Sequence, residues 1–460
     1  MANENKSDVS PAKRSSFSGK IGFVFAAAGS AVGLGNLWRF PYLAAKYGGG
    51  IFLLVYLILT VTFGFTLMVA EIAIGRKTRQ STINAYGMLN KKWGFLGKIS
   101  SIVPMIILPY YCVIGGWVLK YFSVYISGNA SMAAGESYFS NFIGKTGEPI
   151  MWLLIYIALN SIIVLLGVEK GIEKFSKFLM PVLVVLSLGI AIYTLTLPGA
   201  GAGAKYYLMP DFSKFSIMTV LAALGQLFYS MSIAMGIMIT YGSYLPKETS
   251  IEKSVHQIEI FDTGIAFIAG LMVVPSVFIF SNGDVSQLKA GPSLMFDMLP
   301  KTFQSIPMGN ILGLVFFLLV FFAALTSSVS LMETVVSIVH DKFHLNRKIV
   351  CLIVIAGCIL LALPSALGYS VWSGVKILGF QILDLFDFAA NSVIMPIVAL
   401  LTCIFVGYII KPKSIIEEVE SSGPFKQKKF FEIIIKYIAP ICIFAILVSS
   451  ILDGLGIVKI

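Results

Sequence analysis

Apolar stretches recur along the whole chain, near residues 21–46, 52–75, 100–127, 150–167, 176–197, 215–245, 257–281, 309–339, 349–367, 377–410 and 432–452. Each reaches the roughly 20 residues that cross a bilayer. With 57% of the 460 residues hydrophobic and 12% charged, a soluble globule of ordinary composition could not hide them. The expectation is an all-α polytopic membrane protein with about eleven transmembrane helices.

The first stretch is not a plain helix. Residues 28–41 read AGSAVGLGNLWRFP, with small residues, an Asn and an Arg inside one hydrophobic segment. Backbone groups in hydrocarbon need internal partners, so irregular chain survives at membrane depth only where it is buried in protein or lines a cavity. A polar or charged guest is expected there. A transporter built from inverted repeats carries a matching break about five spans later. The sixth stretch, GQLFYSMSIAMGIMITYGSY at 225–244, has Ser230, Ser232 and Gly236 in its middle. This divides the chain into a tail (1–20), a first five-helix repeat (21–197), a second five-helix repeat (215–410), and a loop with an eleventh helix (411–460). Each break alone is equally readable as packing, since Gly29 and Gly33 form a small-xxx-small pair. The outer loops 128–149, 198–214 and 282–308 are long enough to carry short helices.

Lys and Arg crowd the N-terminal tail, residues 76–98, 170–177, 342–348 and 411–429, all on one side of such a topology. The positive-inside bias places that side, and the N-terminus, in the cytoplasm and the C-terminus outside a plasma or inner membrane. The net charge of +11 then follows topology, and no nucleic-acid partner is expected. No short apolar core with a small-residue cleavage site precedes the first span, so no cleavable signal peptide is expected. The five cysteines lie in or at the ends of spans without metal-ligand spacing, and neither disulfides nor a cysteine metal site is expected. His256, His340 and His344 show no general-base or metal arrangement, and no phosphate-binding loop is present. An enzyme or an ATP-driven pump is disfavoured; a passive channel is a more distant alternative.

Several polar residues remain inside spans. Ala323, Thr326 and Ser327 fall at i, i+3 and i+4 on one face of the eighth helix. Such hydroxyls either ligate an ion or bond the carbonyl four residues back. Asp262 in the seventh span is either an ion-path carboxylate or an interfacial residue beside Glu259. Arg39 and Asp387 are costly alone and could pair to close the outer mouth.

The segments GSAVGLGNLWRFPYLAAKYGGGIF, YYCVIGGW, FYSMSIAMG, LTSSVS and LDLFDF together resemble the neurotransmitter:sodium symporter family, with its leucine-transporter fold, and are most similar to its bacterial tyrosine:sodium symporters. The resemblance implies sodium-coupled import of an amino acid or amine by alternating access, with a same-fold transporter of another small solute as the alternative. Carried over residue by residue, it implies two sodium sites. The first comprises the Ala31 carbonyl, Asn36, Ser230, Asp262 and the substrate carboxylate. The second comprises the carbonyls of Gly29, Val32 and Ala323 with the hydroxyls of Thr326 and Ser327.

The resemblance also places the substrate carboxylate at the amides of Leu34 and Gly35 and the Tyr111 hydroxyl, and its ammonium at carbonyls of Ala31, Tyr229, Ser230 and Ser232. Gly33 stands where monoamine carriers have Asp, which favours a substrate bearing its own carboxylate. Asp262 and Ala266 stand where chloride-dependent relatives have Asn and Ser. A resident carboxylate supplies the negative charge that chloride otherwise brings, so no chloride requirement is expected. Met235 occupies a position often held by Phe, and with Ile107, Tyr111, Tyr229 and Leu331 it outlines a roomy apolar pocket beside Ser327. A large apolar or aromatic amino acid is implied, with tyrosine the leading candidate. The gates carry over as Tyr111 and Tyr229 beneath an Arg39–Asp387 pair outside, and an Arg14–Asp341 pair with Phe17, Ser243 and Tyr244 inside. Glu71 is expected to satisfy amides freed by the unwound segments.

Overall fold

The computed structural model describes residues 15–281 and 291–454. Among these residues the regular elements are all helical, and extended pairing is limited to two isolated bridges, Gly49 to Pro210 and Ile377 to Phe380. Nine helices are long and apolar enough to cross a membrane: Gly50–Thr78, Lys91–Ile126, Gly147–Leu165, Val168–Thr196, Ile251–Phe280, Gly309–Phe343, Arg347–Leu367, Ile382–Ile409 and Lys428–Leu452. The pair Lys20–Ala31 and Gly35–Lys46, bent by 53° at its break, makes a tenth. The sixth stretch is also broken, into Ile217–Ser230 and Ile237–Ser243. Both halves are too short to count as spans alone, and the expected eleven is reached only by counting them as one broken crossing.

The two breaks have local causes. In the first, Val32 leaves the helix in an extended conformation, and Asn36 Oδ1 accepts from the Gly33 amide at 3.1 Å. A short amide side chain thus offers the backbone a partner that competes with the helical ladder. In the second, Ser232 (φ 53°), Ala234 (φ 62°) and Gly236 (φ 72°) are left-handed. Left-handed non-glycine residues cost on the order of 1–3 kcal/mol each and persist where surrounding structure over-determines them. Here Glu71 of the second span does so, its Oε1 accepting from the Ala234 amide at 2.7 Å, while Ser232 Oγ donates to the Ser30 carbonyl at 3.1 Å. Glu71 therefore sits where the freed amides need an acceptor. Replacing it with Ala strands the Ala234 amide in a water-poor interior, an expected cost of about 1–3 kcal/mol. Thermal unfolding of purified Glu71→Ala in detergent measures this, and a melting temperature equal to that of the unaltered protein would remove Glu71 from the account.

The broken spans sit at the centre. Residues 22–24 and 26–38, Phe25 excepted, are buried, and the third and eighth spans are among the most enclosed of the long helices. The fourth, fifth, ninth and eleventh leave most of their surface open, as helices facing lipid do. The outer loops do carry short helices, Ala130–Ala133, Tyr138–Ile143, Ala200–Leu208 and Leu299–Gln304. The third of these lies close on the seventh span: Gly203 faces the Pro275 backbone, and Gly270 leaves room for the Tyr207 ring. Residues 282–290 of the third outer loop lie outside the described residues.

Candidate functional site

Asp262 is fully buried mid-helix in the seventh span, not in an interfacial loop. Its partners are neutral. Asn36 Nδ2 donates to Asp262 Oδ1 at 2.7 Å, Ser230 Oγ to Oδ1 at 2.9 Å and Oδ2 at 3.1 Å, and the Tyr56 hydroxyl to Oδ2 at 3.4 Å. Asn36 Nδ2 also lies 3.0 Å from Ser230 Oγ. One carboxylate, one carboxamide and two hydroxyls from four spans thus share a site without water access. A carboxylate held in an apolar interior is costly unless a cation or several hydrogen bonds compensate it, so the cluster is suited to a small hard cation. Among the described residues no group of three or more His, Cys, Asp or Glu gathers, and this donor set, with a single carboxylate, fits a monovalent ion better than a divalent one.

The second cluster joins the first and eighth spans. Ser327 Oγ lies 2.9 Å from the Ser30 carbonyl oxygen, 3.2 Å from that of Val32 and 3.4 Å from that of Gly29. The opened turn of the first span therefore directs three carbonyls at one hydroxyl. Thr326 Oγ1 donates back to the carbonyls of Phe322 (3.1 Å) and Ala323 (3.0 Å), the local bonding that a serine or threonine makes in many membrane helices. Gly29 meets Thr326 closely, a Cβ there falling 3.4 Å from Thr326 Cβ. The Ser30 carbonyl was absent from the ligands inferred from sequence.

Between the clusters lies a small cavity of about 30 Å³. Ala31, Leu34, Gly35, Ile107, Tyr111, Tyr229, Ser232, Met235, Ser327 and Leu331 all line it, together with Ser30, Gly33 and Ile237. Ser230 does not, because its side chain turns to Asp262. The Leu34 amide donates to the Tyr111 hydroxyl at 3.3 Å, and Gln226 Nε2 donates to the Gly35 carbonyl at 3.0 Å. Gln226 was missed in the sequence, where one amide in an apolar helix carries no signal of its distant partner.

A larger cavity of about 350 Å³ lies beyond Tyr229, which lines both. Arg39 and Asp387 line this outer space, but no ion pair joins them within 4 Å among the described residues. The Arg39 guanidinium stands over the Tyr229 ring, 5.3 Å from its centroid, and the Asp387 carboxylate accepts from Asn391 Nδ2 at 2.6 Å. The expected closed pair is therefore not formed within 4 Å.

The opposite end is sealed. Phe17 is buried, edge-on to Phe23, Tyr241 and Tyr244 at ring distances of 5.5–6.1 Å. Arg14 lies outside the described residues. Asp341 Oδ2 accepts from the Ser81 amide at 2.6 Å, and the Ser243 carbonyl accepts from Arg79 at 3.2 Å. The Tyr244 hydroxyl donates to Glu333 Oε1 at 2.9 Å, and Arg347 grips the same carboxylate with both nitrogens. The sequence reading did not single out this ion pair, although an acid within the eighth span was a visible signal.

The model of the "Sodium:neurotransmitter symporter family" matches residues 14–140 and 132–455. A protein of Bacillus subtilis named as an uncharacterized sodium-dependent transporter is 34% identical over 451 residues, covering 96% of this chain and 99% of that one. A protein of the same description from Haemophilus influenzae is 33% identical over 457 residues, covering 95% and 98%. The bovine sodium- and chloride-dependent taurine transporter is 26% identical over 463 residues, covering 88% and 73%. The crystal structure of MhsT in complex with L-phenylalanine superposes with a TM-score of 0.86 at 36% identity, covering 95% of this chain and all of that one.

Proposed function

The chain belongs to the sodium:neurotransmitter symporter family, and from that premise we propose that it imports a large apolar or aromatic L-amino acid, tyrosine foremost, together with sodium and without chloride. The observation that carries this reading is the convergence of two helix breaks and the eighth-span hydroxyls on one largely apolar cavity beside a buried Asp262.

In this reading, one sodium ion enters among Asn36, Ser230 and Asp262 and is completed by the Ala31 carbonyl and the substrate's carboxylate. A second enters among the carbonyls of Gly29, Val32 and Ala323 and the hydroxyls of Thr326 and Ser327. The substrate carboxylate takes the Tyr111 hydroxyl and the amides at the start of the outer half-helix, a positively polarised end. The carboxylate thus becomes a ligand of the first ion. Each then binds better in the presence of the other, and that reciprocity is the coupling. The apolar wall of Ile107, Met235, Ile237 and Leu331 receives the side chain, with Met adapting to its shape. Tyr229, between the inner and outer cavities, is the thin barrier on one side. The Phe17 cluster is the thick barrier on the other, and alternating access exchanges their roles.

Two experiments test the reading. Purified protein is expected to gain thermal stability only when sodium and the substrate are both present. An amino-acid panel in sodium and in potassium identifies the ligand, and equal stabilisation in potassium would overturn sodium coupling. The MhsT crystal structure is a complex with L-phenylalanine, and discrimination among aromatic and large aliphatic acids by size alone is worth about 1–3 kcal/mol, so a short ranking is expected, not a single responder. Uptake into proteoliposomes should be unchanged when chloride is replaced by gluconate, because Asp262 already carries the negative charge. Loss of uptake on that exchange would sink the chloride-independent assignment.

A further inference from the structure

The tenth and eleventh spans separate at their lysine-rich end around an open cleft of about 350 Å³ that the transport reading does not use. We propose that this cleft seats the anionic headgroup of a phospholipid from the adjoining leaflet.

The cleft is built, not incidental. After the wide turns of Phe405–Ile409, Lys411 adopts a left-handed conformation (φ 64°) and turns the chain into the surface helix Lys411–Glu420. That helix is fixed from beneath. Arg76 bonds Glu418 at 2.6 Å, and Lys77 Nζ donates to the carbonyl and hydroxyl of Ser414, both at 2.9 Å. Gly407 packs against the eleventh span, where a Cβ would make ordinary contact with Lys436 Cγ at 3.4 Å. The Tyr408 hydroxyl donates to the Lys436 carbonyl at 2.7 Å, tying the two spans together beside the cleft.

Three lysines line this space, Lys411, Lys413 and Lys436, against one acid, Glu432. Lys436 is paired with Glu432 at 2.6 Å, Lys413 reaches Glu417 only at 3.9 Å with both side chains mostly exposed, and Lys411 has no ion pair among the described residues. The balance is positive and open to an anion. Tyr408 and Tyr437, both exposed, stand at the mouth, the kind of ring that settles at a membrane interface. From there the eleventh span presents Ile433, Ile441 and Phe444 outward, an apolar track that acyl chains would follow. A free anion gains only the lysines, whereas a lipid uses the lysines and the track together. Basic recesses between spans on the positive side are suited to anionic headgroups.

The test uses the full chain in nanodiscs and detergent, with phosphatidylglycerol as the anionic probe and phosphatidylcholine as the neutral one. Native mass spectrometry of the unaltered protein from an equimolar mixture should retain phosphatidylglycerol selectively, and equal retention of the two lipids would overturn the proposal. Lys411→Gln with Lys413→Gln should weaken phosphatidylglycerol binding by about fivefold for each lysine removed, while Lys426→Gln with Lys429→Gln, exposed lysines outside the cleft, leaves it unchanged. Equal weakening in both pairs would mean diffuse attraction and no seat. Glycerol phosphate alone should not compete at matched concentration; if it does, the cleft is a soluble-anion site and the lipid assignment fails. Charge-preserving Lys411→Arg with Lys413→Arg should restore selectivity, which separates lost charge from lost folding.

Discussion

Sodium-driven uptake by a Thr326→Ala, Ser327→Ala double variant should fall by about 100-fold or more, since charge-oriented hydrogen-bonding groups contribute ~1.5–3 kcal/mol each. Ser327 is the larger part. Its hydroxyl answers three carbonyls of the opened first span, and removing it leaves those oxygens facing an alanine methyl in a water-poor interior. Thr326 behaves differently in the two readings of its side chain. If its hydroxyl only bonds back to Phe322 and Ala323, Thr326→Ala alone leaves the sodium dependence of uptake in place. If it rotates to ligate an ion, the single variant shifts the half-saturating sodium concentration upward by about tenfold, the worth of ~1.4 kcal/mol. A sodium titration of amino-acid-dependent thermal stability reads this without requiring transport. A double variant that keeps its sodium affinity within about twofold would remove the second ion from the eighth span, a change of less than ~0.5 kcal/mol.

How far the sequence carries this site depends on what kind of contact is involved. A helix that must break in hydrocarbon announces itself by residue type, so the run from Ala28 to Asn36 was legible before any coordinates, and Asp262 was legible because acids are rare in apolar helices. The i, i+3, i+4 spacing of Ala323, Thr326 and Ser327 fixed their common face. What spacing could not supply is the rotation of one helix against another. Ser327 finds Ser30 across 297 residues, and the choice of Ser30 over its neighbours rests on fractions of a turn. The same limit explains Gln226, meaningful only once its partner is placed; Glu333 was visible as an acid in an apolar span, and only its pairing with Arg347 needed the fold. The outer pair is not formed here for another reason. Opposite charges near one mouth suggest a bridge, but Arg39 has an aromatic face and Asp387 a carboxamide close at hand, and both line an open cavity.

Gly33→Asp should end amino-acid uptake, and the pattern among substitutions tells why. A Cβ on residue 33 lies 2.5 Å from Ser327 Oγ and 2.9 Å from the Tyr111 hydroxyl. Any side chain there displaces the hydroxyl that answers the first-span carbonyls or the one that holds the Leu34 amide. An aspartate adds charge. Placed beside the substrate's carboxylate at roughly 4 Å, it repels by about 4 kcal/mol at an effective dielectric of about 20, or roughly 10³-fold in affinity. Gly33→Asn has nearly the same shape without the charge, so it separates the two effects. The expected order of sodium-dependent ligand affinity is Gly, then Ala and Asn, then Asp well below both, with tyramine, which lacks the carboxylate, losing far less than tyrosine between the Asn and Asp variants. If Asn and Asp are equally poor for tyrosine, crowding against Ser327 is the whole effect and the carboxylate lies elsewhere. If Asp retains tyrosine within about tenfold, ~1.4 kcal/mol, the acid does not meet the substrate's charge. The coupling would then lose its physical basis, because in this reading the substrate's carboxylate, seated at the first-span break, completes the ion held by Asn36, Ser230 and Asp262.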